Sequence, residues 1–312
     1  MDLLTTLQEM LASPLMRRAL LVAVLVGIAA PVMGTYLVQR RLALLGDGIG
    51  HVALTGVALG WLVGSALGVM PVDRFAVPGA VVASVVGALL IELVRARGRT
   101  SGDVALAMLF YGGIAGGVLI ITISGGSSST LTGYLFGSIA TVSSLDMWLA
   151  LALAVVVIGV GVGLRPALFA LCHDEELARA SGLPTWLLSA TVSVMAALTV
   201  SVSMRVVGVL LVSALMIVPV AAAQQLTRSF RGTMRLAMAI GLVVTVLGLV
   251  VTYVNPWSPG ATIVVIAIGA YAAAAVVRPV LEASRRRRSA PVDPHPEHDD
   301  DVTVTAPPSS AG

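Results

Sequence analysis

Arg40-Arg41-Leu42-Ala43-Leu44-Leu45-Gly46-Asp47-Gly48-Ile49-Gly50-His51-Val52-Ala53-Leu54 carries a basic turn directly into a long apolar run. The run continues to about residue 70. That is enough for a helix to cross the hydrocarbon core, which takes roughly 20 residues. Read as helix, the stretch puts Asp47 and His51 four residues apart on one face. Ionisable side chains in a membrane helix are costly and face a cavity or the bundle interior. A carboxylate and an imidazole in that position suggest a path for a divalent cation.

Composition extends this reading to the whole chain. Of 312 residues, 57% are hydrophobic and 11% charged, and the mean hydropathy is +0.98. Soluble domains carry about 25% charged residues, so this is an integral membrane protein. The long apolar runs are unlike the alternating strands of a membrane β-barrel. Gly recurs inside them, which suits close helix packing in lipid. The net charge of +3 comes from arginine alone, since the sequence contains no lysine. The arginines gather at the ends of apolar runs, where topology places them, and do not suggest nucleic-acid binding. The single cysteine, Cys172, excludes a disulfide within the chain and a Cys-based metal cluster.

The fold expected is all-α, a polytopic bundle of about nine spans: 19–38, 49–70, 76–94, 103–123, 147–164, 186–203, 206–226, 233–253 and 259–277. The least distinct division is near Ser203-Met204-Arg205. Residues 1–18 form an interfacial N-terminal segment, with an amphipathic helix over 1–14 ended by Pro14. Residues 19–280 form the transmembrane domain. Residues 281–312, with an arginine tract and then an acidic, Pro- and Ser-rich stretch, read as a disordered cytosolic tail. Arg40/Arg41, Arg95–Arg99, Arg165/Arg179, Arg228–Arg235 and Arg278–Arg288 make every second loop basic. The positive-inside rule then puts those loops and the C-terminus in the cytosol.

Four segments carry chemistry. In the first, Gly46, Gly48 and Gly50 loosen the helix start and admit close neighbours. Asp47 and His51 supply one oxygen and one nitrogen, a mixture that fits Zn²⁺ or Mn²⁺ better than Mg²⁺ or Ca²⁺. Two ligands make an incomplete site, which a two-fold dimer would double. Taken alone, the pair reads equally well as an N-cap and a packed imidazole. The second segment, His173-Asp174-Glu175-Glu176-Leu177-Ala178-Arg179-Ala180-Ser181-Gly182-Leu183-Pro184, reads as a short cytosolic helix, acidic at its start and closed by glycine and proline. The third, Gly208 to Gln224, contains Pro219 inside an apolar run, where it kinks or breaks a helix. The fourth, Tyr134-Leu135-Phe136-Gly137-Ser138, reads as part of a short helix near the outer surface. Glu92 and Asp103 are expected to pair with Arg95 and Arg99 or to cap helices. No motif supports an enzyme, and a G-x-x-x-x-G-K-[ST] loop cannot occur in a chain without lysine.

These segments together resemble the permease subunits of bacterial zinc/manganese/iron ATP-binding-cassette (ABC) importers, the metal-specific branch of the type II importers. The carriers are Arg40–Asp47 with His51, Tyr134–Ser138, Asp174–Pro184 and Val207–Pro219, over about residues 14–280. The family usually has Ala and Ser where this chain has Gly48 and Gly50.

The resemblance implies a homodimer of permeases in the bacterial cytoplasmic membrane, with an ABC ATPase subunit below and an extracytoplasmic metal-binding protein above. It implies that Asp174, Glu175, Glu176, Leu177, Ala178, Arg179 and Gly182 form the element that couples to the ATPase. It places Asp47 and His51 near the translocation path, with Gly46, Gly48, Gly50 and Pro219 shaping the helices around it. No cofactor is bound permanently; the cargo is Zn²⁺ first, Mn²⁺ second. A permease for iron-siderophore or cobalamin and a proton-coupled secondary transporter are the competing readings. The Asp/His pair argues against the first and the lack of visible inverted repeats against the second.

Overall fold

A computed structural model describes residues 10, 12–70, 72–97, 102–124, 133–138 and 142–288. The amphipathic helix expected over 1–14 falls almost wholly outside them, as does the tail beyond residue 288. The main α-helices among the described residues are α1 (Pro14–Gln39), α2 (Leu45–Ala66), α3 (Ala76–Arg97), α4 (Gly102–Ile123), α5 (Ser144–Gly163), α6 (Arg165–His173), α7 (Glu175–Ala180), α8 (Thr185–Val207), α9 (Val209–Leu226), α10 (Phe230–Val254) and α11 (Pro259–Arg288). Eight of these are long and apolar enough to cross a bilayer, and α9 is a shorter apolar helix. Their order follows the nine expected spans.

The bundle is wound around α1. Met33, Tyr36 and Leu37 are fully buried there, among α5, α8, α9 and α10. Lipid tails are as apolar as leucine, so helix contact in a membrane rests on dispersion and hydrogen bonding at short range. Glycines supply that range. A Cβ on Gly34 would lie 1.8 Å from the Met216 carbonyl oxygen, and Gly27 and Gly241 face each other across α1 and α10. Gly56 and Gly79 do the same for α2 and α3. The phenol of Tyr36 donates to the Gly161 carbonyl of α5.

Four features depart from the sequence reading. The division between the sixth and seventh spans falls at Gly208, not at Ser203–Arg205. Gly208 has φ +92°, and a Cβ there would lie 2.4 Å from the Leu135 carbonyl oxygen. Only glycine fits this left-handed position pressed against the Tyr134–Phe136 segment. α9 runs on through Pro219 without a break, and the chain divides about three turns before the proline. α6 was not anticipated; Arg165 looked like the basic end of a span. Leu168 and Leu171 are buried, and their three-residue spacing gives a short helix one apolar face. Finally, α11 extends to Arg288, so residues 281–288 of the expected disordered tail continue the helix. An apolar helix of this length carries its ladder past Pro279 before it ends.

Gly34→Ala is expected to lower the stability of the detergent-solubilised protein by about 1–3 kcal/mol, the usual cost of overpacking. Gly159→Ala, where a Cβ meets nothing within 4 Å, should be neutral. Thermal unfolding followed by fluorescence size exclusion checks the pair.

Candidate functional site

α2 begins at Leu45, with Leu44 as N-cap and no side-chain capping bond. Asp47 is therefore the third residue inside the helix and does not cap it. Its Oδ1 accepts a 2.6 Å hydrogen bond from the Ser213 hydroxyl on α9. Gly46 lies beside Ser213 here; a Cβ on it would sit 3.5 Å from the Ser213 Cβ, ordinary van der Waals contact. Gly48 faces Leu106 of α4, and Gly50 faces Val209 of α9 and Val200 of α8. The three glycines thus set α2 against three different neighbours within an unbroken helix.

His51 lies one turn further in and is 4% exposed. Its ring meets Phe110 of α4 edge-on at 4.2 Å between centroids. Close approach of α4 depends on Gly113, where a Cβ would lie 2.6 Å from the His51 carbonyl carbon. The Nδ1 atom of His51 is buried and has no hydrogen-bond partner. Buried polar atoms are nearly always partnered, and leaving one bare costs about 1–3 kcal/mol. Asp47, inside the helix, is not its N-cap.

What remains is a carboxylate anchored by one hydroxyl and an imidazole braced by one ring, side by side inside the bundle. Among the described residues no three His, Cys, Asp or Glu side chains come together. One chain thus offers two strong donors and a neighbouring hydroxyl, an incomplete shell for a cation.

The second polar region is at the end of the bundle that holds Arg40, Arg95 and Arg179. Asp174 caps α7, its Oδ1 accepting from the Leu177 amide at 2.9 Å. Gly182, at φ +81°, ends the turn; its amide donates to Arg179 and that of Leu183 to Ala178. Ala178 is buried, whereas Leu177 points outward and is 64% exposed. Glu175 and Glu176 open the helix on its solvent side, and Glu175 lies 3.4 Å from both Arg179 and Arg40.

Behind α7 lies a buried cluster. Arg40 donates to the Ser189 hydroxyl at 2.7 Å, and Ser189 and Ser193 donate to the two oxygens of Glu92 at 2.7 and 2.6 Å. Arg95 joins Glu92 at 3.3 Å, the pairing the sequence suggested. Asp103 lies in α4, but its side chain is outside the described set. Sequence reasoning missed Ser213, Ser189, Ser193 and the inward role of Arg40. The four-residue spacing of Ser189 and Ser193 was the available signal, because it sets two hydroxyls on one face of α8.

Residues 12–278 match the sequence profile of the ABC 3 transport family. The chain belongs to that family. The manganese transport system membrane protein MntC of Halalkalibacterium halodurans is 29% identical over 266 residues, covering 85% of this chain and 88% of the relative. A probable metal transport system membrane protein of Treponema pallidum is 32% identical over 252 residues, covering 80% and 91%. Among solved structures, PsaBC from Streptococcus pneumoniae in complex with Fab superposes with a TM-score of 0.76 at 26% identity, over 88% of this chain and 95% of that one. The ABC 3 chain is thus a polytopic membrane transport subunit and not an enzyme, as its resemblance implied.

Cys172, on α6, has its thiol pushed up to about 11 by burial, against the opposing pull of the Arg40 guanidinium. At pH 8 it is protonated, and thiolate, not thiol, is the nucleophile. Alkylation by iodoacetamide should be slow at pH 8 and accelerate as pH rises toward 11, read by mass spectrometry of the intact protein.

Proposed function

We propose that this chain is the permease subunit of an ATP-driven importer that carries a divalent transition-metal cation across the bacterial cytoplasmic membrane. The reading is carried by one observation: the Asp47 carboxylate and the unpartnered Nδ1 of buried His51 stand one helical turn apart inside the bundle. Ser213 adds a second oxygen beside them. An oxygen-rich set with one imidazole suits Mn²⁺ at least as well as Zn²⁺. Relatives named for manganese transport support the same order, so Mn²⁺ is the first cargo to test and Zn²⁺ the second.

Two donors in one chain bind weakly, which suits a path that has to release what it takes. A second copy of the chain, related by a two-fold axis, would bring a second Asp47 and His51 to the same path. The cation would arrive from an extracytoplasmic metal-binding protein and leave on the side where the arginine-rich helix ends gather. That side, with the C-terminal end of α11, is assigned to the cytosol by the positive-inside rule. The ABC ATPase would seat on α7, where exposed Leu177 offers an apolar tooth flanked by Glu176 and Arg179. Closure of the two ATPases on ATP would shift α7 and rearrange the helices around Asp47.

Asp47→Ala and His51→Ala should each reduce cellular Mn²⁺ accumulation to the level of a deletion strain while the protein still reaches the membrane. Wild-type accumulation in both variants would defeat the pathway assignment. Separately, Leu177→Asp should abolish co-purification of the ATPase subunit; an undiminished yield of that subunit would remove α7 from the docking site.

A further inference from the structure

The cluster behind α7 has two layers with different character. Its inner layer is tight: Arg40 to Ser189 at 2.7 Å, Ser189 to Glu92 at 2.7 Å and Ser193 to Glu92 at 2.6 Å. The side chains of Arg40 and Glu92 are 5% and 4% exposed. Its outer layer is loose. Glu175 lies 3.4 Å from Arg40 and 3.4 Å from Arg179, and its side chain is 45% exposed. A polar cavity of about 350 Å³, lined by Arg40, Glu92, Arg95, Glu175, Arg179 and Ser189 among others, opens at the junction of the layers.

Burying an ion cluster is expensive, and hydrophobic side chains of similar volume would often serve stability as well. A buried charged cluster with slack on one side and room beside it suits a contact that has to change. Arg40 has the geometry for this. Its two terminal nitrogens reach different elements, Nη1 the Ser189 hydroxyl of α8 and Nη2 the Glu175 carboxylate of α7. The planar guanidinium fork allows both bonds at once, which a lysine ammonium cannot reproduce in the same geometry.

From Arg40 the backbone leads to Asp47 without slack. The Arg40 amide donates to Tyr36, Arg41 to Val38 and Leu42 to Leu37, with Arg41 in the left-handed region at φ +58°. The Leu45 amide then donates to Leu42, and that of Gly48 to Leu44. Leu45 is buried as α2 begins. These bonds tie the turn to the end of α1 and to the start of α2.

We propose that Arg40 is the positioning residue that transmits movement of α7 to the Asp47–Ser213 contact, through the hydrogen-bonded turn between α1 and α2. Glu92, held by Ser189 and Ser193, is the fixed post against which Arg40 is registered, and Glu175 is the sliding partner. When the ATPase displaces α7, Glu175 lets go of Arg40 and keeps Arg179, the Arg40 guanidinium relaxes toward the cavity, and the start of α2 shifts against α9. The contact that holds the Asp47 carboxylate then opens or closes. This rests on the reading of Asp47 as a pathway residue.

The test uses the complete transporter in proteoliposomes, with its ATPase and its Mn²⁺-loaded binding protein, and reads Mn²⁺ imported per ATP hydrolysed. Arg40→Gln is expected to assemble and hydrolyse ATP while the ratio falls about tenfold, a size typical of coupling between sites. Arg40→Lys should recover part of that ratio. A purely structural role would alter yield and hydrolysis together and leave the ratio alone. An unchanged ratio in Arg40→Gln overturns the relay. Should Arg40→Gln fail to assemble, Ser189→Ala cuts the same link at its inner bond: a lowered ratio supports the relay and a wild-type ratio overturns it. Asp47→Asn, run alongside, separates the two claims. Lost transport there with an unchanged ratio in Arg40→Gln removes the relay and leaves the pathway reading intact.

Discussion

A carboxylate inside a bilayer has to be held by something, and Asp47 is held by Ser213. Much of the architecture serves that contact. It requires α2 and α9 to touch, and they do so where Gly46 and the small side chain of Ser213 lie against each other. It requires α9 to start afresh after α8, which the left-handed Gly208 provides. α9 in turn is fixed against α1 by the backbone contact at Gly34. The charge thus stands at the meeting point of helices whose spacing is set by glycines, where lipid offers no hydrophobic drive of its own.

The same constraint explains the contrast between the two polar regions. Near Asp47 and His51 the donors are sparse and one nitrogen is bare, as fits a place through which a cation passes. Around Glu92 every carboxylate oxygen has a hydroxyl donor, as fits a permanent part. Fully satisfied polar networks make a structure rigid, while partly satisfied ones leave free energy for a ligand to recover. The bundle therefore separates a fixed polar joint near α7 from an open polar site in α2, and the short turn at Arg40–Leu44 connects them.

Much of this was legible in the sequence. Nine apolar runs define the helices, because a membrane demands length and hydropathy from each span independently of its neighbours. Asp47 and His51 declared themselves as rare charges in such a run. Their state did not. Asp47 after Gly46 looks like a helix cap, but the helix starts three residues earlier, at buried Leu45, and the carboxylate meets Ser213 of α9. Ser213 stands 166 residues away, a pairing no local pattern reveals. Gly208 was hidden because the polar residues of Ser203-Met204-Arg205 marked the division a few residues early, while Pro219 stays inside a helix that neighbouring helices support. Arg40 was read as a topology marker, because its sign and place satisfied that rule before its partners were known.

On this reading the imidazole of His51 and the carboxylate of Asp47 touch the transported cation. Electron spin echo spectroscopy of Mn²⁺ trapped in the assembled transporter measures that contact directly. A ¹⁴N modulation from a coordinated imidazole, present in the wild type and lost in His51→Gln while Mn²⁺ is still delivered by the binding protein, is the result this account predicts. An identical nitrogen modulation in His51→Gln, or none in the wild type, would contradict it.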